Sequence, residues 1–387
     1  MRIIHVITRL IVGGAQENTI LTCEGLAARG HEVFLFAGPT SGPEGSLVDR
    51  ARSGGYRYEE FPELVRAVRP LSDWQAVRAL RRRFKELQPD VVHTHSSKAG
   101  IVGRLAASQA GVPLIVHTIH GMSFNRTQVW PVRATFACAE RHCANRCHAI
   151  IGVADEMTRQ SLAADVGRPE QFVTIRSGMV VSEFDPNRFA SSDARKFFEI
   201  PDHAEFTYVG TVARLFKNKG YEELMAIMER AIALEPRLHF VWVGDGAGRA
   251  SYEAELCRRG LRQNVTLTGL IPPAEMPRLL SVIDILLHTS RWEGLPRAVV
   301  QAQLMEKPAV SFAIDGAPEV IASGETGFTA PLDDFDSMAR AVVELSHDAG
   351  LRRKLGTKGR VRCLTEFDHN RMVEAIESLY LRLLGRP

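Results

Sequence analysis

The sequence is poor in cysteine, with only six in 387 residues and at irregular spacings. A disulfide scaffold needs a higher density, so we interpret these cysteines as free thiols in a reducing compartment. No apolar run approaches the roughly 18 residues of a membrane-spanning helix, and the N-terminal residues lack the apolar core of a signal peptide. The sequence therefore predicts a cytoplasmic protein, at most peripheral to the inner face of a membrane.

An excess of charge of one sign is also lacking, since 48 Lys and Arg residues against 45 Asp and Glu leave a net charge of +3. This balance argues against a nucleic-acid-binding protein. A hydrophobic content of 45% and a charged content of 24% exclude a disordered chain or a collagen-like fibre. The length is appropriate for two domains.

Several common catalytic signatures are absent. The sequence has no P-loop, no G-x-S-x-G nucleophile turn and no H-E-x-x-H zinc motif. Residues 244–249 follow a predicted strand but read G-x-G-x-G, whereas dinucleotide-binding loops read G-x-G-x-x-G. A nicotinamide-dependent dehydrogenase therefore stays only as an alternative, which NAD binding would test.

Two clusters have metal-ligand residue types but a simpler interpretation. Residues 136–148 contain three cysteines and two histidines, yet the pattern predicts one continuous helix on which these side chains pack. The acidic residues of 333–336 stand where a C-terminal helix is predicted to begin, so we interpret them as N-cap residues. We expect no metal site and no cofactor.

Short apolar runs alternate with helical patterns along the whole chain, which predicts an α/β fold with parallel sheets covered by helices. The two halves repeat one β-α-β pattern: strand 3–7, helix 15–29 and strand 32–37, then strand 206–212, helix 221–234 and strand 239–243. Residues 181–203 have little strand patterning and suit a junction. We therefore expect Rossmann-like domains over 1–182 and 183–365, and a helix in 366–387 that could pack back on the first domain.

The candidate functional residues lie in loops that follow predicted strands, where parallel sheets bind ligands. For each of them a structural role, such as a tight turn, a buried histidine or a solvated loop, remains open. A backbone without side chains at Gly13-Gly14 would admit an anion to a helix N-terminus, and basic side chains after a strand would bind a diphosphate. These residues are Gly13, Gly14, His120, Arg214, Lys219, Glu293 and Glu319.

In this order the loops resemble the retaining family 4 glycosyltransferases of the GT-B fold, and the resemblance covers essentially the whole chain. No single motif is decisive, but the ordered set is specific. The matching segments are 13–15, 93–100, His120-Gly121, 210–220, 244–246, Glu293-Gly-Leu-Pro296 and 316–328.

The resemblance implies two Rossmann-like domains with parallel sheets facing a central cleft, and a nucleoside diphosphate sugar, most simply UDP-linked, held mainly by the second domain. It implies metal-independent transfer with retention to a sugar or lipid-linked acceptor, as in cell-envelope or surface polysaccharide synthesis. The implied catalytic residues are His120, Arg214, Lys219 and Glu293. The implied donor-binding residues are Gly13, Gly14, Gly210, Arg214, Lys219, Gly244, Gly294, Leu295, Pro296, Gln301 and Glu319.

Two departures from the family pattern affect this interpretation. The family has two glutamates with seven residues between them, and here the second is Gln301. A neutral amide still accepts one hydrogen bond, so we expect ribose binding to weaken by roughly 1 kcal/mol. Residues 177–181 read Ser-Gly-Met-Val-Val where the family has Asn-Gly-Val-Asp. A non-catalytic nucleotide-sugar-binding protein on the same fold therefore remains an alternative.

Residues 73–87 form a predicted amphipathic helix that carries five basic side chains on its polar face. Such a helix can lie on an anionic membrane, which would suit a lipid-linked acceptor. It can equally cover a sheet and keep its basic face in water. The sequence leaves both interpretations open.

Overall fold

The computed structural model describes residues 1–42 and 45–386, which divide into two compact units. Unit 1 comprises Met1–Met179 and Phe367–Pro387, and unit 2 comprises Val180–Glu366. Across the described residues no helix combines the length and the apolar composition needed to cross a bilayer. All six cysteines are free.

Unit 1 is built on a seven-stranded sheet whose neighbouring strands all pair in parallel, in the order β3-β2-β1-β4-β5-β6-β7. The strands are β1 Arg2–Ile7, β2 Glu32–Ala37, β3 Arg57–Glu60, β4 Val91–His95, β5 Leu114–Ile119, β6 Ala149–Gly152 and β7 Phe172–Thr174. The helices are α1 Gly14–Ala28, α2 Val48–Ser53, α3 Pro70–Leu87, α4 Ser97–Ala110, α5 Trp130–Ala144, α6 Asp155–Ala163 and α15 His369–Leu383.

The last helix, α15, packs on α1 within unit 1. A Cβ atom on Gly25 of α1 would lie 2.6 Å from a methyl group of Val373, so the two helices are in close contact at this point. Glu377 accepts hydrogen bonds from Arg29 and His31 at 2.6 Å each. These contacts bury an apolar stripe of α15 that includes Ile376 and Tyr380.

Unit 2 contains a six-stranded parallel sheet in the order β10-β9-β8-β11-β12-β13. Its strands are β8 Thr207–Val212, β9 Leu238–Val243, β10 Val265–Gly269, β11 Ile285–His288, β12 Ala309–Phe312 and β13 Gly327–Ala330. Its helices are α7 Ser191–Phe197, α8 Tyr221–Leu234, α9 Arg249–Arg258, α10 Met276–Val282, α11 Arg297–Leu304, α12 Ala317–Val320, α13 Phe335–His347 and α14 Ala349–Glu366.

The continuous apolar runs of the sequence become strands because a parallel sheet covered on both faces buries every side chain. In β9 all six residues from Leu238 to Val243 are buried. Trp242 and Phe240 of this strand lie in the core of unit 2 together with Tyr221 of α8. The α/β class predicted from the sequence is confirmed.

The predicted helix over residues 136–148 is wrong at its C-terminal end. Helix α5 ends at Ala144, and Cys147 lies beyond it. The chain must turn here because the N–H of His148 donates to the carbonyl of Ile115, at the start of the pairing between β5 and β6. Cys143 and Cys147 therefore do not share a helix face.

Two helix starts can be compared directly with the sequence. The prediction of an acidic N-cap at the C-terminal helix is confirmed, because the Asp334 side chain accepts the Ser337 N–H at 3.0 Å at the start of α13. At the second helix start, Pro296 is the N-cap residue and α11 begins at Arg297.

Candidate functional site

The strand order of unit 2 reverses between β8 and β11, and each of these strands ends in a loop that carries predicted functional residues. Ligands of open parallel sheets bind at the carboxyl ends of the strands on either side of such a reversal. The loop after β8 contains Lys219, and the loop after β11 contains Glu293.

These two loops bring Lys219 and Glu293 together. The Lys219 Nζ donates to Glu293 Oε1 at 2.6 Å, and each side chain is 17% exposed. A third group, the Nε2 of His288 at the end of β11, lies 3.6 Å from the same carboxylate oxygen. The Lys219 ammonium group and the His288 ring thus lie beside the same carboxylate oxygen of Glu293.

The electrostatics of this group keep Glu293 ionised. Burial would raise the pKa of Glu293, but the charge of Lys219 and the hydrogen bond from Lys219 lower it below its ordinary value. Burial lowers the pKa of His288 to about 4, so its ring is neutral at physiological pH. An ionised carboxylate accepts hydrogen bonds and cannot donate one.

The backbone of the Glu293 loop is held by its neighbours. The Glu293 N–H donates to Oδ2 of Asp315 at 2.7 Å, and the Gly316 N–H donates to the carbonyl of Gly294 at 2.9 Å. Asp315 has a φ of 46°, in the left-handed region, and follows β12 closely. Asp315 and His288 are not among the residues predicted from the sequence, although each stands at a strand end beside a predicted motif.

Two glycines allow close contact between the loops. Gly220 has a φ of 75°, and a Cβ atom there would lie 1.8 Å from the carbonyl oxygen of Thr289. Gly244 has a φ of 132°, and a Cβ atom there would lie 2.2 Å from the carbonyl oxygen of Ala213. The glycines of 244–246 therefore allow the loops after β8 and β9 to pack together.

The other predicted residues of unit 2 lie on the same set of loops and helices. Arg214 is exposed, with its guanidinium 5.2 Å from the centre of the Phe216 ring. Gln301 lies in the second turn of α11 and is partly buried. Glu319 is in α12, whose first turn follows β12. Gly210 is in β8, and Gly294, Leu295 and Pro296 are buried in the loop before α11.

In unit 1 the strand order reverses between β1 and β4, and the predicted residues follow β1 and β5, the neighbour of β4. Gly13 and Gly14 stand at the N-terminus of α1, where the Glu17 N–H donates to the Gly13 carbonyl at 3.0 Å. His120 directly follows β5, and its Nε2 lies 3.0 Å from Nδ1 of His95, the last residue of β4.

One group of side chains among residues 1–42 and 45–386 has the composition and spacing of a metal site. The one group of three or more His, Cys, Asp or Glu side chains with ligand atoms close enough to hold an ion is His5, His93 and His95, whose ligand atoms lie within 4.8 Å of one another. The cysteines near residues 138–147 do not form such a group.

Two family models match this chain, one on each unit. The glycosyl transferase 4-like domain matches residues 13–178, and the glycosyl transferases group 1 domain matches residues 193–362. The chain is a glycosyltransferase with the GT-B fold. This glycosyltransferase carries its Lys219–Glu293 pair inside the group 1 match and its His120 inside the 4-like match.

A curated relative aligns with this glycosyltransferase over almost its whole length. It is the UDP-Gal:alpha-D-GlcNAc-diphosphoundecaprenol alpha-1,3-galactosyltransferase of Escherichia coli, 28% identical, with 99% of this chain and 97% of the relative covered.

Two solved structures share the fold of this glycosyltransferase. HepE of Anabaena, in complex with UDP and glucose, has a TM-score of 0.81 at 23% identity and covers 98% of this chain and 99% of its own. The sucrose-phosphate synthase of Thermosynechococcus elongatus has a TM-score of 0.84 at 22% identity and covers both chains completely. At these identities the likeness concerns the fold.

Proposed function

We propose that this glycosyltransferase transfers a hexose, with retention of configuration, from a UDP-linked sugar to a lipid-linked sugar acceptor in the synthesis of a surface polysaccharide. The observation that carries the proposal is the ion pair of Lys219 and Glu293 at the strand-order reversal of unit 2. The name of the E. coli relative supports the lipid-linked acceptor, and the UDP bound to HepE supports the nucleotide.

In this proposal Lys219 and Arg214 bind the diphosphate and stabilise it as the leaving group. Lys219 already faces one anion, and a diphosphate would add a second negative partner for its three N–H donors. Positive side chains placed where charge develops lower the barrier to phosphate departure without a metal ion. Transfer is therefore proposed to be metal-independent.

Glu293 is proposed to bind the hydroxyl groups of the transferred sugar. Its lowered pKa keeps it ionised at neutral pH, so it accepts hydrogen bonds from hydroxyl donors. The hydrogen bond from its own N–H to Asp315 holds the loop in place before the sugar arrives. A preorganised acceptor costs less ordering entropy on binding than a mobile one.

The nucleotide is proposed to lie against the remaining predicted residues of unit 2. Gln301 would accept a hydrogen bond from a ribose hydroxyl through its amide oxygen, and Glu319 would line the nucleotide pocket. The neutral amide should make this contact weaker than a carboxylate by about 1 kcal/mol. The backbone at Gly210, Gly244, Gly294, Leu295 and Pro296 would complete the pocket.

Unit 1 is proposed to supply the acceptor side. The N-terminus of α1 at Gly13 and Gly14 carries backbone N–H groups and a positive dipole end, both of which favour a phosphate. His120 is proposed to contact the transferred sugar near its reacting carbon. These assignments follow from the matching of the residues to the family motifs.

The test is a transfer assay on the full-length chain. Purified protein is incubated with UDP-galactose, UDP-glucose and their N-acetylated forms, with GDP-linked sugars as a comparison, and with a synthetic diphosphate-lipid-linked sugar acceptor. Product formation in the presence of EDTA and an α-linkage by NMR from an α-linked donor would support the proposal. A β-linked product would contradict retention.

Transfer, hydrolysis and ligand-binding assays on the same protein test the alternatives. A protein that binds UDP-sugars but neither transfers nor hydrolyses them would be a non-catalytic nucleotide-sugar-binding protein, as the glutamine at 301 leaves open. Stabilisation by NAD but not by UDP would favour a dehydrogenase. A ligand at 100 times its dissociation constant raises the free energy of unfolding by about 2.7 kcal/mol, which a thermal-shift assay detects.

We also propose a peripheral membrane contact through α3. The helix buries Ala76, Leu80 and Phe84 on its inner side. On its outer side Trp74 is 57% exposed and lies under the guanidinium of Arg78 at 4.5 Å, and Leu71 near the helix start is 80% exposed. Exposed apolar side chains beside basic ones suit the interface of an anionic bilayer.

Vesicle flotation tests this contact with the full-length protein. We expect binding to vesicles that contain phosphatidylglycerol, and weaker binding by an Arg81→Glu, Arg82→Glu variant, because each basic side chain near the surface contributes about 1 kcal/mol. The matched control is Arg353→Glu, Lys354→Glu on α14, where both side chains are exposed. Equal loss in both variants would point to non-specific charge attraction.

A further inference from the structure

Three buried histidines lie on one face of the sheet of unit 1. His5 in β1 is directly opposite His93 in β4, and His95 follows two residues later on the same strand face. All three are at most 1% exposed. The rings of His5 and His95 stack with centroids 5.2 Å apart and an angle of 17° between their planes.

Hydrogen bonds connect these three histidines to neighbouring side chains and, for His5 and His95, to each other. Five of the six ring nitrogens of the three residues are hydrogen-bonded, since His93 bonds to Tyr380 and Thr118 and the other two bond to each other and to His120. Metal ligands point their nitrogens at a common centre, whereas here the rings of His5 and His95 stack on each other. Within the described residues the arrangement therefore fits hydrogen bonding better than metal coordination.

These hydrogen bonds form a chain of rings that runs from the interior of unit 1 to His120, directly after the end of β5. The Nδ1 of His5 is 2.9 Å from Nε2 of His95, and the Nδ1 of His95 is 3.0 Å from Nε2 of His120. His95 thus offers one nitrogen to His5 and the other to His120. The structure links a buried residue of β1 to His120 through a single intermediate, His95.

Neutral rings allow only two proton arrangements in such a chain, because each contact needs one N–H and one lone pair. Either all three rings carry the proton on Nδ1, or all three carry it on Nε2. Burial keeps the rings of His5 and His95 neutral, since it lowers the pKa of His5 to about 3 and the pKa of His95 well below its ordinary value.

The buried end of the chain selects between the two arrangements. The Nε2 of His5 has no hydrogen-bond partner among residues 1–42 and 45–386. A proton on that atom would be a buried N–H without an acceptor, a kind of group that is rare in folded proteins. The arrangement with every proton on Nδ1 leaves a lone pair there instead.

We infer that His95, held in turn by His5, is a positioning residue that fixes the ring of His120 and keeps its proton on Nδ1. The His120 nitrogen that is not bonded to His95 is then a hydrogen-bond donor rather than an acceptor. The consequence for transfer rests on the proposed contact between His120 and the sugar, but the proton position does not. A sugar oxygen facing this nitrogen would receive a hydrogen bond.

NMR of the full-length protein with ¹⁵N-labelled histidine tests the proton position directly. Long-range ¹H–¹⁵N spectra should show Nδ1–H for His5, His95 and His120 at pH 7. His95→Phe keeps a ring but removes both bonds, so the Nδ1–H signal of His120 should weaken. His95→Asn places an amide NH₂ near the position of Nδ1 and should restore Nδ1–H at His120. A proton on Nε2 of His120 in the wild type would overturn the inference.

A matched control separates positioning from loss of a buried histidine. His93→Gln removes a histidine of equal burial from the same strand that is not bonded to His120. It should leave the His120 spectrum unchanged even if it lowers stability. A change of tautomer in His93→Gln equal to that in His95→Phe would overturn the inference.

Kinetics on a working UDP-sugar give the second readout. His95→Phe should lower kcat about tenfold with a smaller change in KM, the scale expected when a functional histidine loses its orienting partner, and His95→Asn should recover most of it. Failure of transfer by the wild type would count against the proposed function alone, since the NMR result stands without it. Stoichiometric Zn²⁺ binding that His5→Phe abolishes would overturn the inference in favour of a metal site.

Discussion

Lys219 and Glu293 form a hydrogen-bonded ion pair of 2.6 Å although 74 positions separate them in the sequence. The pair exists because β8 and β11 are neighbours in the sheet while β9 and β10 lie on the far side of β8. Both loops therefore leave the sheet at the same edge. The following predictions test what this pair and the surrounding structure contribute.

Replacing the lysine of this pair should affect both stability and transfer. Lys219→Met leaves the mostly buried Glu293 carboxylate without its cation, so we expect a loss of about 2 kcal/mol in the free energy of unfolding. If Lys219 also binds the diphosphate, kcat/KM should fall by about 100-fold. Urea denaturation and the transfer assay measure the two effects. Lys354→Met, at an exposed site on α14, is the control and should change neither.

Restoring the second acidic residue of the motif should strengthen nucleotide binding. In Gln301→Glu a carboxylate replaces the amide near the proposed ribose contact, and we expect UDP to bind about fivefold more tightly. Isothermal titration calorimetry measures this. The gain should disappear with a 2′,3′-dideoxy nucleotide, which lacks the hydroxyl donors. An equal gain with that analogue would contradict a ribose contact.

A side chain at Gly220 should destabilise unit 2. Gly220→Ala combines a positive φ of 75° with a Cβ atom 1.8 Å from the Thr289 carbonyl oxygen, so the two loops must separate. We expect a loss of at least about 2 kcal/mol in the free energy of unfolding. Gly260→Ala is the control because its φ is 69° but no atom lies within 4 Å of the added Cβ. Equal losses in the two variants would show that the contact contributes nothing.

The buried histidines should make unit 1 sensitive to acid. The pKa of His5 is about 3 in the folded protein against 6.5 ordinarily, so between these values the unfolded chain binds a proton that the folded chain does not. The free energy of unfolding therefore falls as the pH drops below 6.5, by about 1.4 kcal/mol per pH unit for each such group. His5→Phe should reduce the slope by about that amount between pH 6 and pH 4.

Urea denaturation at several pH values measures this slope. The control is His142→Gln, which removes an exposed histidine of α5 from the same unit. A loss of slope equal to that of His5→Phe would contradict the assignment of the effect to the buried ring. A His5→Phe slope identical to that of the wild type would contradict the assigned burial effect.

Local features of the sequence were sufficient to predict several of the strands and the loops that follow them. The predicted strand 32–37 and helix 221–234 coincide with β2 and α8, because a buried parallel strand needs an unbroken apolar run and a helix needs a repeating apolar face. The predicted end of the helix at residue 148 was wrong because the pairing of β6 with β5, a long-range contact, decides where that helix stops.

The residues of the candidate site were likewise predicted only in part from the sequence. A carboxylate and a lysine after two strands were visible in the sequence, and so was a histidine after a third. Asp315 and His288 were not singled out, because their roles depend on the atoms that face them: the Glu293 N–H for one and the Glu293 carboxylate for the other. No spacing rule contains that information.

The sequence by itself determined the α/β class, the strand–loop–helix order and the residue types available at each strand end, since these depend on local periodicity and turn chemistry. Only the tertiary structure decided which strand ends are neighbours. It joined Lys219 to Glu293, and His5 to His95 across 90 positions, because strand order is set by pairing between distant segments that no local pattern encodes.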